Sequence, residues 1–518
     1  MIRMNDTVRR IDSNRSSVLN PQRVPATLYA NSDVSVEADG IEQLLSFISL
    51  EDTLRQTYQW QQSGRIKPFW GDRAGSIESI VLTPDFHRGG SVPIGTVARC
   101  NGFVIPSAVG NDICCGMRLL VTDVTQDEIT PHLDKLGHVL RAIFFQGQRN
   151  IPMSPRQREA LLRDGLWGLH ETSRDNAGTG MWADYDPNQQ EKDLDRVHFN
   201  GVLPAKDIFG FADFIRASGR VDGRDPQIGS VGGGNHFCEV QVVDEVKDGV
   251  TSHEWGLSKG SITIMIHTGS LGLGHMVGGY YCGKAHSAYP AGVPHPKHGF
   301  YVIPTEGPNS GLATEYLDAM HNAANFAFGN RLCLGLMAIR AMSEAIGRPV
   351  GSRLVYDAPH NLIWEPEATS GTFLHRKGAC PAIGPKPDIE GPFKYTGCPT
   401  LIPGSMGSHS YVMAGEGNKE ALESACHGAG RSLTRGQTGH VDSSIYASSM
   451  ENLRVVTPID PKSYEVRSRP DILAAYHKRV KEEAPYAYKP ITPVVQTVED
   501  SGIAKKVARL WPLMTVKG

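Results

Sequence analysis

Apolar residues along the 518-residue chain follow two rhythms, one helical and one alternating. From Ile41, IEQLLSFISLED spaces its apolar residues for one face of a helix and predicts an amphipathic helix there. Short β-branched runs follow: SIVLT before Asp85, then PIGTV, FVIPSAVG and MRLLVTDV. Glycine-bearing loops separate them, as expected of strands. SPRQREALLRDGLWGL has a Ser-Pro start and helical spacing of Leu and Trp, and 151–225 reads as an inserted helical segment. SITIMIHTGS predicts a buried strand running into a glycine loop. LATEYLDAMHNAANFAFGNRLCLGLMAIRAMSEAIG is the longest helical pattern and predicts one or two helices. RLVYDAPHNL predicts a strand and then a loop, and 370–415 is rich in Gly and Pro, with strands such as SYVMAG. Residues 1–40 are polar and aperiodic, which predicts a poorly structured lead-in. Strands and helices do not alternate as βαβ units, and no internal repeat is visible. The expectation is an α+β fold with one large central mixed domain over 41–518.

Composition narrows the function classes. Hydrophobic content of 40% and charged content of 21% describe a globular protein. Lys+Arg of 52 against Asp+Glu of 55 leaves a net charge of -3, so no global cationic field draws in nucleic acid. An RNA substrate would have to be held by local basic patches. The N-terminus lacks the apolar region of a secretion signal, and no stretch is apolar for long enough to span a bilayer. Nine cysteines without CxxC spacing argue for a reducing cytosol, and against a disulfide framework or a ribbon-type zinc site.

The chemistry is concentrated in loops. Asp112 and Cys115 lie in VGNDICCGMR, and His236 lies in VGGGNHFCEV between Asn235 and Glu239. His267 ends an apolar strand, and His360 follows a proline in YDAPHNL. A lone histidine at a strand end is more often a hydrogen-bonded core residue than a ligand. A lone cysteine is more often a small buried hydrophobe. What shifts the balance is repetition of the same strand-to-glycine-loop context. Imidazoles with a thiolate and a carboxylate suit Mn, Zn or Fe(II) better than Mg or Ca. IPGSMGSHSY, GGGN and HGAG offer backbone and hydroxyl donors suited to phosphate, and HRKGA adds Arg376 and Lys377. No GxxxxGK[ST] occurs, which argues against a P-loop NTPase. His427, in SACHGAGRSLTR, is locally ambiguous: a packed side chain, a ligand or a group that attacks phosphate.

Taken in order, TPDFHRGGSVPIGTV, GNDICCGM, GGGNHFCEV, IHTGSLGLGH, EYLDAMHNAANFAFGNR, YDAPHN, HRKGA, PGSMGSHSYVMAG, CHGAGRSLTR and the closing VKG resemble the RtcB family of RNA-splicing ligases. The resemblance covers roughly residues 40 to 518. It implies an α+β fold around a two-Mn site, and GTP-dependent joining of RNA 3′-phosphate or 2′,3′-cyclic phosphate ends to 5′-hydroxyl ends. It implies that Asp112, Cys115 and His236 hold one ion, and that Cys115, His267 and His360 hold the second. It implies GMP contacts from Asn235, His236, Phe237, Cys238, Glu239, His360, Asn361, Pro403, Gly404, Ser405, Met406, Ser410, Gly428, Ala429, Gly430 and Lys517. His427 would carry GMP covalently, Glu239 would accept from the guanine edge, and Arg431 would assist at phosphate. RNA is the implied partner, with an archease-like activator, no membrane, a monomeric state and a cytoplasmic setting. The runner-up readings are a guanylyltransferase that only caps 3′-phosphates and a metal-dependent phosphohydrolase. A catalytically idle RNA-binding protein is disfavoured by the intact His427, Cys115 and His236. Four positions depart from the family pattern: Leu271 where SRGLG has arginine, Cys114 where glycine is usual, and Cys380 and Pro359.

Overall fold

The computed structural model describes residues 7–209, 227–366, 371–388, 390–439, 441–450 and 453–518. Two large sheets organise the chain. The first has seven strands in the order Val8–Arg10, Arg15–Val18, Ala26–Tyr29, Ser76–His87, Ile94–Asn101, Thr372–Lys377 and Asn361–Trp364. The second runs Ser352–Pro359, Gly116–Thr125, Ser261–Thr268, Phe237–Val246, Ala504–Val516, Ser410–Gly415 and Pro399–Ile402, with Arg454–Val456 added beside Ala504–Val516. Pairing is antiparallel except between Ala26–Tyr29 and Ser76–His87 and between Arg454–Val456 and Ala504–Val516. Helices pack around these sheets in no regular alternation, so the fold is α+β as the sequence predicts.

The long apolar pattern forms one helix, Ser310–Ile346, about 55 Å from end to end at 1.5 Å per residue. Its middle, from Asn322 to Gly335, is buried throughout, and it packs against Pro155–Glu171, Leu133–Phe145 and Leu271–Ala288. Burial on all sides explains the near-continuous run of Ala, Phe, Leu and Met. Among the described residues, no helix is long and apolar enough to cross a membrane.

Three expectations change. The first forty residues are not an unstructured lead-in: from Val8 to Tyr29 they supply three strands of the first sheet, with Val18, Ala26, Leu28 and Tyr29 buried. Their two-residue alternation is short, and polar neighbours mask it. The helix expected from Ile41 is two helices, Ala38–Ile48 and Leu50–Gln62, hinged at Ser49. The loop expected after the strand ending at Pro359 is a single residue, His360, before the chain enters Asn361–Trp364. The segment expected to be helical at 151–225 contains Pro155–Glu171 and Pro187–Leu194, and its stretch 210–225 lies outside the described residues.

Candidate metal centre and nucleotide pocket

Strand register sets the metal half of the site. Gly116 pairs with both Pro359 and Thr268, and His267 pairs with both Met117 and Phe237. The residues beside these positions therefore emerge at one end of four adjacent strands. Cys115 precedes one strand, His236 precedes another, His267 nearly ends a third and His360 follows the fourth. Cys115 Sγ lies 3.2 Å from His236 Nε2 and 3.2 Å from His267 Nε2. His267 Nε2 lies 3.2 Å from His360 Nε2, and His236 Nε2 lies 2.8 Å from Asp112 Oδ2. Cys115, His236 and His267 form a buried group with ligand atoms all within 4.8 Å of one another, and Asp112 and His360 adjoin it.

The electrostatics suit a cation. Burial pushes the His267 and His360 imidazoles well below their ordinary range, and the neighbouring histidines add to it. Neutral imidazole is the ligand form. Burial and the Asp112 carboxylate push the Cys115 thiol well upward, a bias that a divalent ion between them reverses. Burial opposes ionisation of Asp112, but the His236 ring beside it wins and holds its carboxyl below the usual range. Lone pairs of a thiolate, a carboxylate and three imidazoles facing one another are an arrangement that a soft-to-borderline divalent ion fits.

Beyond this cluster lies a cavity lined by Asn235, Phe237, Glu239, Pro403, Gly404, Ser405, Met406, the loop His427 to Gly430, and Lys517. The strand after His236 sorts its side chains by twos. Phe237 and Glu239 face the cavity, whereas Cys238 between them is buried in the core on the other face. Glu239 Oε1 accepts from Gln241 Nε2 at 2.7 Å, and Oε2 accepts from the Thr515 hydroxyl. Burial pushes its carboxyl up to about 7, against the pull of Thr515, Gln241 and Lys517. Lys517 is not a loose terminus. It follows the strand Ala504–Val516, its N–H donates to Val456 O at 2.9 Å, and its Nζ donates to Gly234 O at 2.7 Å. Burial lowers its ammonium to about 8.

His427 enters from the first sheet's side of the cavity. Its Nδ1 donates to Asp85 Oδ2 at 2.6 Å, and its backbone N–H points to the same oxygen at 3.3 Å. Asp85 is fully buried near the end of Ser76–His87, and its Oδ1 accepts from Thr83 Oγ1 at 2.5 Å. Burial opposes its ionisation, but the His427 ring and Thr83 keep its carboxyl below the ordinary value. The loop closes on Gly430, at φ 75°, where a Cβ would lie 2.4 Å from Asp85 O. Only glycine allows that approach. The His427 ring centre is 4.6 Å from that of His360 and 6.4 Å from that of His267.

Several sequence expectations land elsewhere. Ser410 is buried, and its Oγ accepts from Gln241 Nε2 at 3.0 Å and from the Gly404 N–H at 3.2 Å, so it supports the cavity wall from behind. Asn361 donates to Asp112 O at 3.1 Å and accepts from the Gly378 N–H at 2.9 Å, so its side chain fixes the metal loop. Arg431 lines the cavity, but its guanidinium is engaged by Glu483 at 3.3 Å, Tyr488 Oη at 3.2 Å and Glu482 O at 2.8 Å. Cys114 has φ 55°, the left-handed region, which is the physical reason glycine suits that position. Leu271 also has a positive φ, 50°, and its Cδ2 would lie 2.8 Å from a Cβ on Gly232, so it packs on the glycine loop before His236. The sequence reading missed Asp85 and His87. Both sit in TPDFHRGG, whose alternating Asp and His at a strand end were the available signal.

A family model described as tRNA-splicing ligase RtcB matches residues 73–518. The tRNA-splicing ligase RtcB of Thermococcus kodakarensis is 34% identical over 515 residues, 96% of this chain and 95% of that protein. The RNA-splicing ligase RtcB of Mycobacterium bovis is 34% identical over 462 residues, covering 86% and 98%. The tRNA-splicing ligase RtcB of Pyrobaculum aerophilum is 30% identical over 523 residues, covering 96% and 95%.

Proposed function

The chain belongs to the RtcB family, and from this we propose that it is a GTP- and Mn-dependent RNA ligase. It joins RNA 3′-phosphate or 2′,3′-cyclic phosphate ends to 5′-hydroxyl ends through a histidine-bound GMP. The observation that carries the reading is the position of His427. Its Nδ1 is held by the buried Asp85, and its ring lies against His360 of the metal-ligand cluster, on the wall of the cavity.

Asp112, Cys115 and His236 would hold one ion, and Cys115, His267 and His360 the second, with Cys115 shared. Bound there, divalent ions neutralise phosphate charge and orient the line of attack. The protein's own residues do the rest. Asp85 accepts a hydrogen bond from Nδ1–H and so fixes the tautomer in which the Nε2 lone pair of His427 is free to attack. Nε2 forms a bond to the α-phosphorus of GTP as the bond to pyrophosphate breaks. An oxygen of the RNA 3′-phosphate then attacks that phosphorus, the N–P bond breaks, and an RNA(3′)pp(5′)G end forms. The 5′-hydroxyl oxygen attacks the RNA 3′-phosphorus, and GMP leaves. A cyclic phosphate is first opened by water to a 3′-monophosphate. Glu239 as carboxylate accepts from the guanine N1–H and amino group, which an adenine edge does not match. Lys517, 2.7 Å from Gly234 O, supplies positive charge on the same wall.

The test uses GTP labelled at the α-phosphate, with Mn, followed by RNA pieces bearing a 3′-phosphate and a 5′-hydroxyl. The expected result is labelled protein, then joined RNA, and no label in His427→Ala. No label on the wild type would overturn guanylyl transfer. Label without joined product would favour the capping activity, the second reading that Leu271 motivates.

A further inference from the structure

Two adjacent residues in the buried middle of the long helix, Asn330 and Arg331, reach the chain segments of four metal-ligand residues. Both are fully buried. Arg331 Nη1 donates to Cys114 O at 2.8 Å and to Thr268 O at 3.0 Å. Those carbonyls flank Cys115 and His267. Arg331 Nε donates to Asp357 Oδ1 at 2.8 Å, in the strand that leads to His360. Asn330 Oδ1 accepts from the N–H groups of Gly229 at 2.7 Å and Ser230 at 3.2 Å. Its Nδ2 donates to Ser230 O at 3.0 Å, at the start of the loop that delivers His236.

The ligands come from segments far apart in sequence, and nothing local fixes their spacing. Their lone pairs face one another at 3.2 Å, an arrangement that tends to open unless the backbone holds it. A guanidinium presents several donors in one rigid plane, and so can bind two carbonyls and a carboxylate together. A lysine ammonium on its flexible stem does not reproduce that fork. The helix itself is anchored along its length by apolar packing, which makes it a stiff base for the brace.

We propose that Asn330 and Arg331 are a positioning pair that sets the geometry of the metal centre before any ion binds. The proposal rests on the two-metal reading given above. A matched control is present in the structure. Arg118 Nη1 donates to the other oxygen of Asp357 at 3.1 Å, a bond to that carboxylate rather than to the metal loops.

The experiment titrates metal-stripped full-length protein with Co(II) alone and follows thiolate-to-cobalt absorption, alongside thermal unfolding of the metal-free chains. Arg331→Lys is expected to weaken Co(II) binding by about tenfold or more and to shift the absorption band. Arg118→Lys is expected to lower thermal stability comparably but to keep Co(II) affinity within about threefold of wild type. A folded Arg331→Lys protein with wild-type affinity and band would overturn the proposal. So would equal metal loss in Arg118→Lys, which marks general loosening. Asn330→Ser gives an independent reading, even if Arg331→Lys does not fold. It is expected to weaken one of the two cobalt sites, the one that includes His236, and wild-type binding at both sites would remove Asn330 from the pair. A wild type that binds Co(II) but takes no label from GTP would sink the ligase reading and leave the brace standing.

Discussion

At the end of the eight-stranded sheet, Cys115, His236, His267 and His360 each stand at or beside a strand terminus, and strand register brings them to one edge. Beside them, His427 follows a three-residue strand, Ser424–Cys426, and takes its orientation from Asp85, 342 positions away. The metal half is built from repeated pieces, each a strand end with a ligand residue at or beside it. The nucleophile half is built from one long-range pairing. On the proposed reading the two halves fail separately: metal binding would depend on sheet register, and nucleophile competence on one buried carboxylate.

The sharpest way to break this comparison is Asp85→Asn. It removes the charge that holds Nδ1–H on His427 while keeping the shape. Guanylylation is expected to fall on the order of 10²–10⁴-fold, with Co(II) binding at the metal half unchanged. Equal loss of both would show that the halves are one unit.

A smaller effect comes from pH. Burial raises the Glu239 carboxyl to about 7 in the nucleotide-free pocket, above its ordinary 4.5. A raised folded value favours the protonated form, so this contribution to stability is present at low pH and is lost as pH rises through about 7. On the proposed guanine contact GTP needs the carboxylate, so its affinity is expected to rise over the same window, by up to about tenfold per unit below pH 7. Thermal melts with and without GTP across that window check this. Glu239→Gln is expected to flatten both profiles and weaken discrimination against ATP.

The smallest expected effect is that of Leu271→Arg, which restores the cation that the family pattern carries on the glycine loop. Guanylylation should stay within about twofold of wild type, while the salt dependence of RNA binding steepens by about one phosphate contact. A change in guanylylation instead would place this position in the nucleotide half.

Much of the metal half was legible in the chain, because a ligand next to glycine at a strand end leaves a local trace. Less of the nucleotide wall was legible. Glu239 and Cys238 are equally prominent in GGGNHFCEV, and only the pleat turns one into the cavity and the other into the core. Ser410 and Asn361 sit in the right motifs, yet their side chains support the walls. Arg431, expected to assist at phosphate, is held by Glu483 and Tyr488.

The sequence by itself determined the α+β class, the helical and strand segments, and the residue types able to bind metal and phosphate, because periodicity and glycine loops are local properties of the chain. The tertiary structure decided that the first residues complete a sheet, that Asp85 holds His427, and that Asn330 and Arg331 hydrogen-bond to the segments carrying Cys115, His236, His267 and His360. Those outcomes depend on strand register and on contacts between residues hundreds of positions apart, which no local pattern encodes.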